Sequence, residues 1–346
     1  MRDLSRARQR SLRARRHHTR PGRSTHPGRD RRGSSRDRIL VETGTYAEQL
    51  TIETDGIALV GLGAILVPPA APTQNNCSGL AGPDTQAGIC VMGYEVDLAD
   101  FVVEHRRVRS VGQPVKDVSI SGFQVRGFPG ANIAVVGARD ARVIGNRLVD
   151  GEHYGFLTAG SKNTRVAGNT VVSSTKLQFI GICMDDLAGV QVSKNHISGY
   201  NTGLCVQTHG ADVRHNDVSD SCIGVFVDPK ITGAKIRHNH ISATDPRCAT
   251  ESFFGVYGIF IYGAVNTEVR HNIIEGQTDG GLPDQFAAGL AVVDGQTLEG
   301  AVAVASGNVV TKNTLRNNDL DLLVETEGTG NVIARNKCST PEELCA

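Results

Sequence analysis

Between residues 117 and 337 the chain repeats a short phrase, apolar-x-x-Asn-x-apolar, with its Asn at 146, 169, 195, 216, 239, 272, 313 and 336. The steps are 23, 26, 21, 23, 33, 41 and 23 residues. Between the Asn positions the apolar residues alternate with period 2, and no stretch carries the 3.6-residue spacing of a helix. A basal step of 21 to 23 residues built from such strands predicts a coil, each turn stacking on the last at about 4.8 Å. The two long steps are the same turn with loops inserted. An Asn repeated at one point of every turn has a physical cause. Its amide can bond the Asn of the next turn, satisfy bent backbone and tolerate left-handed dihedrals, so a ladder inside the coil is expected.

A second phrase follows each Asn, beginning at Gly155, Gly181, Gly203, Gly224, Gly258 and Gly289. Alternation turns Phe156, Ile182, Leu204, Val225, Ile259 and Leu290 inward, together with Thr158, Met184, Val206, Val227, Ile261 and Val292. The intervening positions face out. On that reading the glycines form a flat outward strip, and Ala159, Asp185, Gln207, Asp228, Tyr262 and Val293 form a column beside it. Loops 245–257 and 277–288 would wall one side.

At this point the chain resembles the right-handed parallel β-helix proteins of the pectin-lyase-like superfamily. The Asn-bearing repeats carry the likeness, with the opening Ile39-Leu-Val-Glu-Thr-Gly-Thr-Tyr-Ala-Glu similar to a first-turn phrase. The resemblance implies an all-β fold, a solenoid with inserted loops. Its chemistry stays open, because the superfamily holds lyases, hydrolases, C5-epimerases, adhesins and accessory proteins. Asp185-Asp186 and His209-Gly210, one turn apart, are similar to two motifs of polygalacturonase-like hydrolases. Arg165 stands after Asn163-Thr164 where those enzymes have Asp, and Lys235-Ile236-Arg237 reverses their cationic pair, so that catalytic set is not carried over.

Charge divides the chain in two. Of 36 Lys+Arg and 36 Asp+Glu, residues 1–38 hold 14 Arg and three Asp, so the tail is +11 and the remainder −11. The tail has almost no apolar residue and is expected to be disordered. It reads either as an arm that binds nucleic acid or another polyanion, or as an inert segment or an artefact of start site or frame that hides a signal peptide. Residues 39–346 are expected to form one domain, with a disulfide-tied excursion at about 68–115. No apolar run reaches the roughly 18 residues of a membrane span.

Eight Cys fit an oxidising compartment, hence a secreted or periplasmic protein. Cys77 with Cys90, Cys222 with Cys248 and Cys338 with Cys345 sort as pairs. Cys183 and Cys205 share one outward position on adjacent strands, where the in-register spacing exceeds the Cβ separation a disulfide prefers. Two stacked free thiols are expected there; a strained bridge, or a soft-metal site with Asp185, are the alternatives.

The column supplies the candidate chemistry. Asp185 and Asp228 fall two turns apart, near 10 Å, which suits an inverting hydrolase. With Tyr262 and His209 they are the candidate acid/base groups, and could also abstract and return a proton alpha to a uronate carboxyl. Gln207 and Asp186 are candidate substrate contacts. So are Arg214, His215, Arg237 and His238, part of an Arg-His-Asn tripeptide repeated on three turns, which either holds a polyanionic sugar chain or is repeat consensus on a solvated turn.

The expected function is action on an acidic polysaccharide or oligosaccharide by uronan lyase, C5-epimerase or hydrolase chemistry. A non-catalytic carbohydrate-binding or periplasmic accessory protein is the alternative, and a small-molecule biosynthetic enzyme a further one. No motif calls for a cofactor, and a need for Ca²⁺ is left open. No membrane partner is expected, nor nucleic acid unless the tail is genuine. Self-association through a coil end is a further expectation.

Overall fold

The computed structural model describes residues 2–3, 14–18, 37–251, 254–280 and 286–345. Among the described residues, sheets of 11, 12 and 10 strands run along a coil, all pairing in parallel except Ala14–His18, which lies antiparallel to Asp37–Val41. One turn comprises Gln191–Ser193, His196–Ser198 and Tyr200–Val206. Each pairs in parallel with its equivalent on the next turn, Asp212–Arg214, Asp217–Ser219 and Ile223–Val227. The sheet holding Tyr200–Val206 and its equivalents is called the front sheet below. Among the described residues no helix is long and apolar enough to cross a membrane.

The Asn ladder sits at the corner between the other two sheets. Asn195 Oδ1 accepts from the backbone N and Nδ2 of Asn169 at 3.0 Å each, and its own Nδ2 donates to Asn216 Oδ1 at 2.9 Å. Rungs of this kind link all eight Asn from Asn146 to Asn336. The corner backbone, which forms no regular ladder of its own, is thereby satisfied without water. Phe156, Ile182, Leu204, Val225, Ile259 and Leu290 stack in the continuous core, as alternation predicts.

The expected outward glycine strip is not formed. A Cβ on Gly155, Gly181, Gly203, Gly224 or Gly258 would come within 3.0 Å of a core side chain, namely Val171, Ile197, Val218, Ile241 or Ile274. The same Cβ would meet the carbonyl oxygen of the glycine one turn on. The strand bends at this point, so alternation fails and only glycine fits against the facing sheet.

The three expected disulfides are present, Cys77–Cys90, Cys222–Cys248 and Cys338–Cys345. Cys183 and Cys205 are bridged rather than free. They are direct partners in the sheet, and their Cα atoms approach to 4.5 Å, closer than the ordinary strand spacing and inside the range a disulfide spans. Neither sulfur is exposed, for the outer face of this half of the front sheet is covered. Leu157, Cys183 and Cys205 pack with Leu80 and Met92 in a second apolar cluster.

The cover is the excursion, which divides in two because Ala87–Met92 within it is a front-sheet strand. Its second half is an antiparallel hairpin, Tyr94–Leu98 with Val108–Gln113. Arg106 anchors the tip, Nε to Ala99 O at 2.7 Å and its backbone N to Leu80 O at 2.8 Å. At the far end the short helix Glu342–Cys345 brings Leu344 and Cys345 against the core. The tail expected as disordered lies largely outside the described residues. Within it Arg2–Asp3 pairs with Leu50–Ile52 and Ala14–His18 with Asp37–Val41, so these two pieces are strand.

Candidate active site

The expected column exists. Met184 pairs with Val206, Val206 with Val227, and Val227 with Ile261, so the next residues, Asp185, Gln207, Asp228 and Tyr262, stand on four successive turns. The hairpin tip lies over this column and adds three side chains that the sequence reading did not single out: Glu104, His105 and Arg107. Glu104 holds a left-handed backbone, φ 60°, which only an over-determined loop sustains.

His105 is buried between Tyr154 OH, 3.0 Å from Nδ1, and Asp185 Oδ2, 3.1 Å from Nε2. With the carboxylate accepting from Nε2–H, Nδ1 is left to accept from the Tyr154 hydroxyl. Burial first, and then the nearby Glu104 charge, push the Tyr154 phenol well above its ordinary value, so it stays a donor. Arg107 Nη1 reaches Asp185 Oδ1 at 3.1 Å and donates to Gln207 Oε1 at 2.8 Å. Burial alone would weaken its hold on the proton, but Asp185, Asp228 and Glu104 more than offset this.

Gln207 completes the junction. Its Nε2 donates to Glu104 Oε2 at 2.6 Å and to Asp228 Oδ2 at 2.7 Å, so those two oxygens are at most about 5 Å apart. Asp228 Oδ1 is enclosed and has no hydrogen-bond partner. Burial, then the Glu104 charge, raise Asp228 well above the usual carboxylate range, against the opposing pull of Arg107 and Gln207. Two neighbouring carboxyl groups, one favouring its proton, form an acid/base arrangement.

Of these groups Glu104, His105, Arg107 and Asp228 line the polar end of a cleft of about 570 Å³, while Tyr154, Asp185 and Gln207 hold them in place without lining it. Its apolar wall is Phe226, Phe254 and Tyr262, with ring centroids 5.7 to 6.0 Å apart, and the segment Gln296–Glu299 closes the far side. The first of the two loops expected as walls thus contributes Phe254. The largest share of the lining comes from the hairpin tip, Ala99 to Arg107.

The other candidates do not converge on this cleft. Asp186 turns into the coil, where Oδ1 accepts from Thr158 Oγ1 at 2.7 Å and Ser161 N at 3.1 Å. Its direction is that of the inward Ile182 and Met184, four and two residues before it. His209 is exposed on the next corner, its Nδ1 accepting from Thr232 N at 3.0 Å. Arg214 and Arg237 both pair with Asp212, and His215 and His238 stand at the Asn-ladder corner, between the two sheets other than the front one. Among the described residues no group of three or more His, Cys, Asp or Glu converges to hold a metal ion. What could have pointed to the tip is the run Glu104-His-Arg-Arg, a titratable cluster inside a segment without repeats.

No curated protein matches the chain in sequence. Among solved structures, DFA-IIIase from Arthrobacter chlorophenolicus A6 without its lid superposes with a TM-score of 0.55 at 11% identity, covering 89% of this chain and 86% of that one. The same enzyme in complex with GF2 gives 0.51 at 11%, covering 86% and 82%. The Dettilon tailspike protein gives 0.50 at 14%, covering 86% of this chain and 59% of its own. At such identities the likeness is one of fold. Residues 131–299 match the family model of the right handed beta helix region, and the chain folds as a right-handed parallel β-helix.

Proposed function

We propose that this chain is a carbohydrate-active enzyme that cleaves or transfers a glycosidic linkage of an oligosaccharide held in the hairpin-covered cleft. The observation that carries the reading is the Gln207 amide shared between Glu104 and Asp228 at 2.6 and 2.7 Å. Asp228, which favours its proton, is the general acid, and Glu104 the opposing carboxylate. Their approach resembles the roughly 5 to 5.5 Å of a retaining pair more than the wider inverting gap. Asp185, paired with Arg107 and His105, is a positioning residue. The Phe226, Phe254 and Tyr262 rings supply the apolar surface on which a sugar ring stacks. The similarity in fold to DFA-IIIase, solved with GF2, agrees with this choice of substrate class.

Action on an acidic chain, by uronan lyase, C5-epimerase or hydrolase chemistry, is the second reading. The cleft opposes it, since Asp100, Glu104, Asp228 and Glu299 surround the single guanidinium of Arg107 there. Four disulfides suit an oxidising compartment, so the enzyme works secreted or in a periplasm. No cofactor enters this mechanism, and activity unchanged by a chelator is expected; a requirement for added Ca²⁺ would reopen the metal question.

The test is turnover of a panel of neutral fructans and glucans beside pectate and alginate, read by chromatography of products and by new reducing ends. Turnover of a neutral oligosaccharide that drops at least a hundredfold in Asp228→Asn and Glu104→Gln supports the proposal. Turnover of uronans alone would replace it with the second reading. Binding without turnover would make the protein a carbohydrate binder, and neither would point to small-molecule chemistry.

A further inference from the structure

The residue preceding each ladder Asn stands at an exposed corner with a left-handed backbone. On the first two turns it is Gly145 and Gly168, with φ of 66° and 63°, and a Cβ there would meet nothing within 4 Å. On the next six turns it is Lys194, His215, His238, His271, Lys312 and Arg335, with φ between 55° and 58°. All six are exposed. The fold is satisfied by glycine at this position, packing asks for no side chain, and a left-handed backbone favours Gly, Asn or Asp. Six basic residues in succession therefore answer to something other than the fold.

The flanking cations already have acidic partners, Arg214 and Arg237 sharing one. Arg214 and Arg237 pair with Asp212, Arg270 with Glu268, and His196 with Asp217. Among the described residues none of the six corner residues makes an ion pair with an acid. The three imidazoles stack on one another, with centroids 5.1 and 5.0 Å apart, so their faces are occupied and their N–H edges are left as donors. The result is a single file of donors spaced about 4.8 Å apart and about 24 Å long, on a body that carries −11 from residue 39 onward.

We propose that this ridge binds an acidic polysaccharide laid parallel to the coil axis, at a surface separate from the front-sheet cleft. The rise per turn is close to the length of one pyranose unit in an extended chain, so the carboxylates or sulfates that a twofold or threefold chain presents on one side can meet every second or third rung. A straight single file fits such a chain better than it fits a lipid surface, which a broad patch would engage, or a duplex, whose two phosphate strands need a wide groove.

The test is affinity electrophoresis of the full chain in gels containing polygalacturonate, with dextran as the neutral control. Asparagine keeps the left-handed backbone and removes the charge, so the variant is the sixfold Lys194→Asn, His215→Asn, His238→Asn, His271→Asn, Lys312→Asn and Arg335→Asn. A version with Lys194→Asn, Lys312→Asn and Arg335→Asn alone serves if the first does not fold. Retardation by polygalacturonate, weakened by salt and at least tenfold weaker in the variant, is expected, with dextran giving none and Asp228→Asn binding as the parent does. Absence of retardation, or equal retardation of the parent and the Asn variant, would overturn the ridge. So would tighter binding to duplex DNA or to phosphatidylglycerol vesicles than to polygalacturonate.

Discussion

Gln207 Nε2 stands 2.7 Å from Asp228 Oδ2, to which it gives one hydrogen while the other serves Glu104, and its Oε1 is held by Arg107. The amide orientation is fixed by its partners, since both acids need the NH₂ and the guanidinium needs the oxygen. Gln207→Leu removes a hydrogen bond that favours the ionised form of Asp228. The carboxyl, already raised by burial and by Glu104, should then titrate higher still. Carboxyl ¹³C NMR titration of the two proteins checks this, and the alkaline limb of the pH–rate profile should move up with it. An unmoved Asp228 titration would show that the bridge does not couple the pair.

The Cys222–Cys248 bridge closes a 26-residue separation and ties down the loop that brings Phe254 to the cleft. Loop-closure entropy alone makes such a link worth about 3 kcal/mol. The double variant Cys222→Ala, Cys248→Ala should lose about that much in chemical denaturation. KM should rise with little change in kcat, because the aromatic wall loosens while Glu104, Gln207 and Asp228 stay in place. A kcat loss as large as the KM rise would mean that the wall also shapes the reacting centre.

Features that repeat were legible in the chain, and features that cross it were not. Phe156, Ile182 and Asn195 announce their places because each recurs one turn later in the same local context. Asp186 was grouped with the column because it is adjacent to Asp185 in sequence, although its parity is that of the inward Ile182 and Met184 and it points into the coil as they do. The glycines were misplaced because the strand bends at its other end. The column Asp185, Gln207, Asp228 and Tyr262 followed from register alone. Its partners did not, for His105, Arg107 and Glu104 reach it across 80, 100 and 103 residues of sequence from a hairpin that repeats nothing.

The ladder should be costly to break in the middle. Asn216 accepts two bonds from Asn195 and donates to Asn239 and to Val192 O. Asn216→Ala leaves several of those groups buried and unpaired, at about 1 to 3 kcal/mol for each that water cannot reach. A loss of roughly 3 kcal/mol is expected. Asn336, at the last rung, accepts two bonds from Asn313 and donates to Val310 O; three bonds are lost there against four at Asn216, so Asn336→Ala should cost about three-quarters as much. Equal losses in urea unfolding would argue that the rungs act independently of their place.

Asp186 is a carboxylate sealed inside the coil, and burial lifts it from 3.8 to about 6 despite hydrogen bonds from Thr158 and the Ser161 backbone. In the unfolded chain it ionises near the lower value. Between about pH 4 and 6 the folded state therefore holds more protons than the unfolded one, so this group makes stability fall as pH rises through that window. Above pH 6 the full cost remains, about 3 kcal/mol. Asp186→Asn keeps an oxygen for Thr158 and Ser161 and places its NH₂ where Oδ2 has no partner. The variant should gain about 3 kcal/mol relative to the parent on going from pH 4 to pH 7, measured by urea unfolding at each pH. A difference that stays flat over that range would mean that Asp186 ionises in the fold as it does in the open chain.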